Sequence, residues 1–252
     1  MRWGGLGLAV AALACAGCAG AGESSPAGAA QPATQLEPAA AAAEPATPDT
    51  QAAAKKPKRV VPAPPAHGPA YLVARIRRPL RTPFGTVPDR TLYAQPVWAP
   101  VVRHHGDRGR LLVPLGKRGR VVSADLRKVQ LQWREVRVVV DLSAERMVVR
   151  DGRQRLGVFP IGNGAPSTPT PTGRFFVTDR LEFGQGSPYA PFAFGLSAHV
   201  SQLPASWLGG DQVAIHYGAM GAVSHGCIHA GLDAIELLKR RAALGTLVIV
   251  KA

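Results

Sequence analysis

Short runs of apolar residues, several with period-two alternation, recur along the C-terminal half of the chain between positions rich in glycine and proline. Such runs are typical of β-strands bounded by turns. They occupy 134–142, 146–150, 155–164, 174–183, 212–218 and 246–250. The dipeptide Asp151-Gly152 separates two of them and favours a type I′ hairpin turn. The pattern predicts a mainly β domain over residues 131–252.

One segment of that domain has the period of a helix instead. The stretch 232–244 places four apolar residues on one helical face. They are Leu232, Ile235, Leu238 and Ala242. Gly245 suits a C-terminal cap, and the cations at 239–241 lie in the last turns, where the helix dipole favours them. We expect one structural helix near the C-terminus.

A second set of strand-like runs lies in residues 70–130, again broken by proline and glycine. These runs are 70–76, 91–103, 110–115 and 120–126. Several short strands with turns at regular intervals favour a small β barrel or sandwich. In size and pattern the segment resembles the bacterial SH3-like modules of envelope proteins. We predict a small β accessory module in front of the 131–252 domain.

The first 18 residues resemble an export signal. Arg2 gives a basic start, and the apolar run from Leu6 to Ala14 is too short to span a bilayer as a permanent helix. The tripeptide ending at Cys18 resembles a lipoprotein box, in which the cysteine becomes the lipid-carrying N-terminus. We expect lipidation of Cys18, and hence a membrane attachment in the cell envelope. Simple secretion, a periplasmic location and an uncleaved apolar helix are the alternatives.

Composition changes the interpretation of the residues between the signal and the module. Residues 19–69 consist mainly of Ala, Pro, Gln, Ser and Thr. They offer almost nothing to bury, so burial would not repay the entropy of ordering them. We predict a disordered, Pro-rich linker that holds the folded part away from a membrane.

The chain is strongly basic, with 30 Lys and Arg against 16 Asp and Glu, a formal net charge of +14. Much of this charge lies between residues 75 and 155. Such a surface attracts polyanions, for example an anionic wall polymer, a lipid surface or nucleic acid. A basic solvated surface without a partner is the alternative. Nucleic acid is disfavoured because the chain carries an export signal and its Arg runs lack interleaved aromatics.

Candidate chemistry is concentrated in residues 214–230. Cys227 is the one cysteine beyond the first 20 residues, and His216, His225 and His229 lie near it. An imidazole can take the proton of a thiol and so activate it as a nucleophile. The backbone N–H groups of residues 225–227 suit an oxyanion pocket. A zinc site and a structural Cys and His cluster are the alternatives.

Local geometry predicts how these side chains are arranged. Side chains two residues apart in an extended segment point the same way, so His225, Cys227 and His229 are expected on one face. His216 ends a strand, and a turn through Gly218 and Gly221 is expected to bring the cysteine loop back against it.

The stretch 224–229, Ser-His-Gly-Cys-Ile-His, preceded by His216, resembles the signature of the L,D-transpeptidase catalytic domain (YkuD-like). That signature is a His, a loop, then Ser/Thr-His-Gly-Cys, a hydrophobic residue, and Asn or Arg. "VDLSAERMVVRDGRQRLGVFPIGNG" is similar to the opening hairpin of the family and "TPTPTGRFF" to its Pro-Thr-Gly loop. The resemblance covers 134–251. It implies a β-sandwich or barrel catalytic domain with one C-terminal helix, here preceded by the small β module.

The resemblance implies roles for individual residues. Cys227 is the nucleophile and His216 the imidazole that activates it, while His225 and Gly226 shape the site. Their backbone amides and that of Cys227 form the oxyanion pocket, and Ser224 has a supporting hydrogen-bonding role. The candidate substrate-binding residues are Ser224, Tyr217 and His229. No metal and no cofactor is implied.

The family attacks the carbonyl of the third residue, a diamino acid, in a peptidoglycan tetrapeptide stem and releases the terminal D-Ala. A neighbouring stem amine then resolves the Cys acyl-enzyme into a cross-link between third residues, and carbapenems acylate the same Cys. Water as acceptor would make the protein an L,D-carboxypeptidase, and a protein amine would attach that protein to the wall. A zinc-dependent peptidase and an inactive wall-binding protein compete with this interpretation.

The sequence departs from the family pattern in two places. His229 stands where the family has Asn or Arg, and the segment between His216 and Ser224 is short. The aromatic residues Tyr189, Phe192 and Phe194 are expected either as a lid over the donor stem or as ordinary core residues.

Overall fold

The computed structural model describes residues 61–66, 68–207 and 209–252, all within one compact unit spanning 55–252. The predicted signal, the lipidation at Cys18 and most of the predicted linker lie outside the described residues. Within the described part, no helix is long and apolar enough to cross a membrane. The fold is mainly β with one α-helix, which confirms the predicted fold class.

The N-terminal strands form a five-stranded antiparallel sheet and a small hairpin. These strands are β1 (Tyr71–Arg75), β2 (Leu80–Thr82), β3 (Gly85–Val87), β4 (Trp98–His105), β5 (Arg108–Val113), β6 (Arg120–Asp125) and β7 (Gln130–Arg134). The larger sheet has the order β6-β5-β4-β1-β7, and β2 pairs with β3. Since β7 pairs with β1, this sheet extends to Arg134, past the module boundary predicted at 130.

The remaining strands form a nine-stranded sheet, accompanied by the helix. They are β8 (Val136–Asp141), β9 (Arg146–Asp151), β10 (Gln154–Gly164), β11 (Gly173–Glu182), β12 (Phe192–His199), β13 (Gln212–Tyr217), β14 (Gly221–Ser224), β15 (Ile228–Ala230) and β16 (Leu247–Lys251), with α1 at Leu232–Arg241. The order is β14-β10-β15-β13-β12-β11-β16-β8-β9.

Strand β10 closes this sheet into a barrel. Its first part pairs with β9, and its last part, from Ile161 to Gly164, pairs with β15 and β14. One strand thus pairs with strands at both ends of the strand order, which closes the sheet on itself. The barrel interior holds large apolar side chains, including Phe175, Phe194, Ile215 and Ile228.

Strand β12 is the main element that the hydrophobic pattern does not predict. All seven residues from Phe192 to Ala198 are buried, so neither face shows the polar positions that mark a half-buried strand. Phe192 and Phe194 lie in the core with ring centroids 4.9 Å apart. They are core residues and not part of a lid.

The hairpin between β9 and β10 forms as predicted, but its turn is shifted by one residue. Asp151 pairs with Gln154, so the two loop residues are Gly152 and Arg153. Gly152 has a φ of 52°, whereas Arg153 is not among the positive-φ residues. Positive φ at the first loop position alone fits a type II′ turn and not the predicted type I′ turn.

Helix α1 packs on β13 and β12 through a face that differs in part from the predicted one. Ala234, Ile235 and Leu238 are buried, but Leu232 is 50 % exposed at the first position. Ala242 is the C-cap and Gly245 lies beyond it, in the turn before β16, with a φ of 83°. The predicted cap at Gly245 is wrong because the helix ends at Arg241, and the predicted burial of Leu232 is wrong because the first turn packs only in part.

The Tyr71 side chain connects the first sheet to the barrel. Its hydroxyl accepts a hydrogen bond from the backbone N of Leu247 (2.8 Å) and donates to the carbonyl of Val136. Burial raises the pKa of Tyr71 to about 12. A buried hydroxyl with both a donor and an acceptor partner fixes β1 against β8 and β16.

Candidate active site

Two parallel strands bring the sequence-predicted site residues together. Ile215 pairs with Ile228, and His216 pairs with His229, across β13 and β15. Cys227 immediately precedes β15, so the parallel ladder places it beside Ala214, in the middle of β13. The chain after His216 thus returns to β13 through β14, and His229 is the residue that pairs with His216.

The imidazole of His216 is 5 % exposed and lies in a defined cage. Its Nδ1 is 2.8 Å from the carbonyl oxygen of Tyr217, which can only accept, so Nδ1 carries the hydrogen in this contact. The rings of Tyr189 and His229 stand edge-on to it, with centroids 5.0 and 4.7 Å away. This packing fixes both the tautomer and the ring orientation.

Burial, followed by the nearby His229, lowers the pKa of His216 to about 4, although hydrogen bonds with the backbone of Tyr217 and Pro188 act in the opposite direction. Desolvation disfavours the charged form of an imidazole. His216 is therefore neutral at pH 7 and able to accept a proton.

Cys227 is partly exposed, as a nucleophile must be. Burial raises the pKa of the Cys227 thiol, and a hydrogen bond with the backbone of Ala214 lowers it by a smaller amount. The resting pair is thus a neutral thiol and a neutral imidazole. These two groups can therefore supply a thiolate only by proton transfer from the thiol to the imidazole.

The hydroxyl of Ser224 holds the nucleophile loop from inside. It donates to the carbonyl of Cys227 at 2.6 Å and accepts from the backbone N of Gly226 at 3.1 Å. Ser224 is buried, so its predicted substrate-binding role does not fit, whereas the predicted supporting hydrogen bond does. The amide of Gly226 is occupied by this contact. Of the three amides predicted for the oxyanion pocket, those of His225 and Cys227 therefore remain.

The loop after β10 also fixes the nucleophile loop. Thr168 Oγ1 donates to the carbonyl of Ser224 at 2.9 Å, and Thr170 Oγ1 donates to the carbonyl of Gly226 at 3.1 Å. The backbone N of Gly164 in turn donates to Thr170 Oγ1 at 2.8 Å. Sequence analysis assigned no role to these threonines. They are buried and give the loop a rigid backing.

The three residues predicted to share one face are separated by a bend. Gly226 has a φ of 100°, in the region that favours glycine, so the alternation of an extended strand fails at this point. His225 is exposed and stacks on Trp207 with ring centroids 4.2 Å apart. His229 instead points to His216, and its Nδ1 lies 2.8 Å from the carbonyl oxygen of Ala219.

Two aromatic residues border the site. Tyr217 is 47 % exposed at the end of β13, and its substrate-binding role remains a prediction. Tyr189 contacts the ring of His216 and, unlike Phe192 and Phe194, belongs to the site. Within the described residues, no group of three or more His, Cys, Asp or Glu side chains could hold a metal ion.

Replacement of Gly226 by alanine is expected to reduce the reactivity of Cys227 toward acylating agents. A Cβ at this position would overlap Cγ2 of the buried Val200, and the positive φ adds roughly 1 to 3 kcal/mol of strain. Gly221→Ala is the matched control, since Gly221 has a φ of 87° but open space around its Cβ. If both variants acylate at the same rate in an intact-mass time course, the contact with Val200 is unimportant.

Comparison with known proteins finds a family to which part of the chain is similar. Residues 135–250 match the model of the L,D-transpeptidase catalytic domain, YkuD. No curated protein matches the chain.

Several solved structures are similar. An Enterococcus faecium L,D-transpeptidase variant is 24 % identical, with a TM-score of 0.36, over 46 % of this chain and 50 % of its own. A Mycobacterium smegmatis L,D-transpeptidase is 22 % identical, with a TM-score of 0.37, over 57 % of this chain and 67 % of its own. Mycobacterium tuberculosis L,D-transpeptidase 1 is 20 % identical, with a TM-score of 0.34, over 61 % of this chain and 76 % of its own. The chain spans half the length of the Enterococcus faecium protein and 56 % of one from Stackebrandtia nassauensis.

The family match begins one residue before β8 and ends within β16, and so covers the whole barrel, α1 and the cage around His216. The first sheet lies outside it. Residues 135–250 of this chain are thus similar to the L,D-transpeptidase catalytic domain, YkuD.

Proposed function

We propose that the protein is a peptidoglycan L,D-transpeptidase that forms a thioester on Cys227. The observation that carries the proposal is the buried, neutral imidazole of His216, held in register beside the strand that follows Cys227, within a YkuD-family domain. A neutral imidazole on one strand and a partly exposed thiol at the start of its paired neighbour supply the base and the nucleophile that acyl transfer requires.

In the acylation step, His216 accepts the thiol proton while the Cys227 sulfur attacks the carbonyl of the third stem residue. The resulting oxyanion is stabilised by the backbone amides of His225 and Cys227, since that of Gly226 already donates to Ser224. Collapse breaks the bond to the terminal D-Ala, and the imidazolium of His216 protonates its departing amine. The products are a Cys227 thioester and free D-Ala.

In the deacylation step, the side-chain amine of a second stem attacks the thioester and His216 accepts its proton. Collapse expels the Cys227 thiolate, which recovers the proton from His216. The product is a cross-link between two third residues. With water in place of the amine, the same steps give an L,D-carboxypeptidase, and with a protein amine they attach that protein to the wall.

The test is incubation of the protein with purified disaccharide tetrapeptides, with mass spectrometry of the products. We expect dimers joined through their third residues, together with released D-Ala. Tripeptides without dimers would favour the carboxypeptidase instead, and unchanged tetrapeptides would contradict both. Metal analysis of the active protein checks the competing zinc peptidase.

We further propose that the protein works in the cell envelope, attached to a membrane by a lipid on Cys18. The support is the sequence of residues 1–18, which resembles an export signal with a lipoprotein box. Labelling of cells with a fatty-acid analogue, for wild type and Cys18→Ala, checks this. Absence of label on the wild type would contradict the anchor.

Replacement of His229 by asparagine is expected to shift the pH dependence of acylation. His229 and Tyr189 face the ring of His216, and His229 helps to lower the pKa of His216. Acylation needs neutral His216 and fails as the pH falls through that pKa. Without His229 the pKa rises, so the acid limb of the acylation rate moves to higher pH. An unchanged acid limb would show that His229 has no electrostatic effect on the base.

A further inference from the structure

The solvent face of the β4–β5 hairpin carries two directly opposed pairs of basic residues. Arg103 pairs with Arg110, and His105 pairs with Arg108. Opposed residues of an antiparallel pair, and residues two apart on one strand, share a face. We refer to Arg103, His105, Arg108 and Arg110 as the cationic face. All four are exposed.

Like charges placed directly opposite each other destabilise a sheet, so the pair of Arg103 and Arg110 has a cost in the free molecule. The four residues line an open cleft of about 950 Å³ at the end of the first sheet. The cleft also contains two carboxylates, Asp107 and Asp125, but Arg127 lies 4.0 Å from the first and 2.8 Å from the second. The cleft therefore keeps an excess of positive charge.

The spacing within the cationic face indicates the shape of its ligand. The two pairs are two residues apart along the strands, which corresponds to about 7 Å. Each Arg presents a planar fork of donors that matches phosphate. Ser123, directly opposite Arg110 on β6, adds a hydroxyl to the same face. A linear chain with successive phosphate groups fits such a row in a cleft better than a flat bilayer does.

We propose that the cationic face is a binding site for a linear, phosphate-bearing polymer. The site lies outside the family domain and is independent of the acyl-transfer chemistry. It would keep the catalytic domain next to an anionic polymer of the envelope while the substrate stems exchange.

The test uses the full chain and long-chain inorganic polyphosphate, with binding measured over a range of salt concentrations. The Arg103→Gln/Arg110→Gln variant is expected to reduce the slope of log K against log salt by about 2. Arg150→Gln/Arg155→Gln is the matched control, because it removes another opposed Arg pair, between β9 and β10, outside the cleft. An equal reduction of this slope in both variants would overturn the proposal, because it would indicate a general effect of charge.

Two further readouts complete this test. The melting temperature of the cleft variant is expected to be equal to or higher than that of the wild type, since a repulsive pair is removed. A large fall would mean that weaker binding reflects misfolding, and would overturn the site. Vesicles of phosphatidylglycerol replace polyphosphate in a parallel series. If the Arg103→Gln/Arg110→Gln variant bound vesicles more weakly but bound polyphosphate as well as the wild type, the cationic face would be a membrane site and the proposal would be contradicted.

A different observation carries a second inference, which rests on the proposed function. Lys117 lies in the loop between β5 and β6 and contacts the segment that follows β12. Its Nζ donates to the carbonyls of Val200 (3.1 Å) and Ser201 (3.2 Å). Its own carbonyl accepts from the backbone N of His199 at 2.9 Å.

The segment held by Lys117 reaches the nucleophile loop at two points. Val200 is buried, and its side chain lies directly against Gly226. Trp207, further along the same segment, stacks on His225. The ends of the segment are joined by the backbone N of Val200, which donates to Asp211 O at 2.7 Å. We infer that Lys117, a residue outside the family domain, is a positioning residue for the nucleophile loop.

The test compares Lys117→Met with Lys117→Arg, which keeps the donors, and with Lys128→Met, an exposed lysine of the same module. Carbapenem acylation of Lys117→Met is expected to slow roughly 3- to 10-fold, because the oxyanion donors are displaced. Alkylation by iodoacetamide, which needs no oxyanion pocket, is expected to stay unchanged. Lys117→Arg is expected to restore acylation. An equal fall in both reactions, or no rescue by Arg, would overturn the inference.

Hydrogen exchange gives a readout that does not depend on catalysis. Peptides covering 199–207 and 224–228 are expected to exchange faster in Lys117→Met than in wild type and Lys128→Met. Equal protection in all three would contradict the positioning role. If the wild type itself failed to react with a carbapenem, the proposed function would fail, while the exchange result would still decide the role of Lys117.

Discussion

Cys227→Ala is expected to abolish the mass increase that a carbapenem produces on the wild-type protein. The reason is that the sulfur of Cys227 is the atom acylated in the proposed mechanism, and alanine offers no replacement nucleophile. Intact-mass spectrometry of both proteins measures the adduct, and peptide mapping locates it. The chain also contains Cys15 and Cys18, so the adduct must be found on the peptide that contains Cys227.

The control for this experiment is the thermal melt of both proteins. Cys227 is only partly buried, so its truncation should leave the melting temperature close to that of wild type. An adduct that persists in Cys227→Ala, or a wild type that forms none, would contradict the thioester mechanism.

The second large effect is expected for His216→Gln, which should slow carbapenem acylation by roughly 10²- to 10⁴-fold at neutral pH. Glutamine keeps a hydrogen bond to Tyr217 but cannot accept the thiol proton. Since burial raises the pKa of the Cys227 thiol, the remaining rate should increase with pH as thiolate forms without help. Stopped-flow or quenched-flow acylation across the pH range measures both features.

His104→Gln serves as the matched control, because His104 is an exposed histidine of the first sheet far along the chain from the site. Its acylation rate should equal that of wild type. A rate for His216→Gln close to that of the control would show that another group accepts the proton.

Much of the site was predictable from sequence because its residues are close in the chain. The approach of the loop that carries Cys227 to the strand of His216 follows from the turn expected at Gly218 and Gly221 and from the short connection between the two. The orientation of each side chain was not predictable. The bend at Gly226 separates His225 from His229, and the hydroxyl of Ser224 occupies the amide of Gly226.

Contacts between distant segments explain the remaining differences. Thr168 and Thr170 are more than fifty residues from the loop that they hold, and no local pattern marks them as its partners. Strand β12 was missed because burial on both faces leaves no alternation. The helix was predicted, yet its exposed Leu232 shows that apolar spacing does not fix where a helix face begins to pack.

The Tyr71 hydroxyl has a practical consequence for the biochemist who wishes to isolate the catalytic part. A fragment cut at the start of the family match would lose the Tyr71 hydroxyl, which is the partner of both Leu247 N and Val136 O. Unpaired backbone groups beside apolar surface favour aggregation. Enzymology on this protein should therefore begin from fragments that start upstream of Tyr71, and poor solubility of shorter ones would say nothing about catalysis.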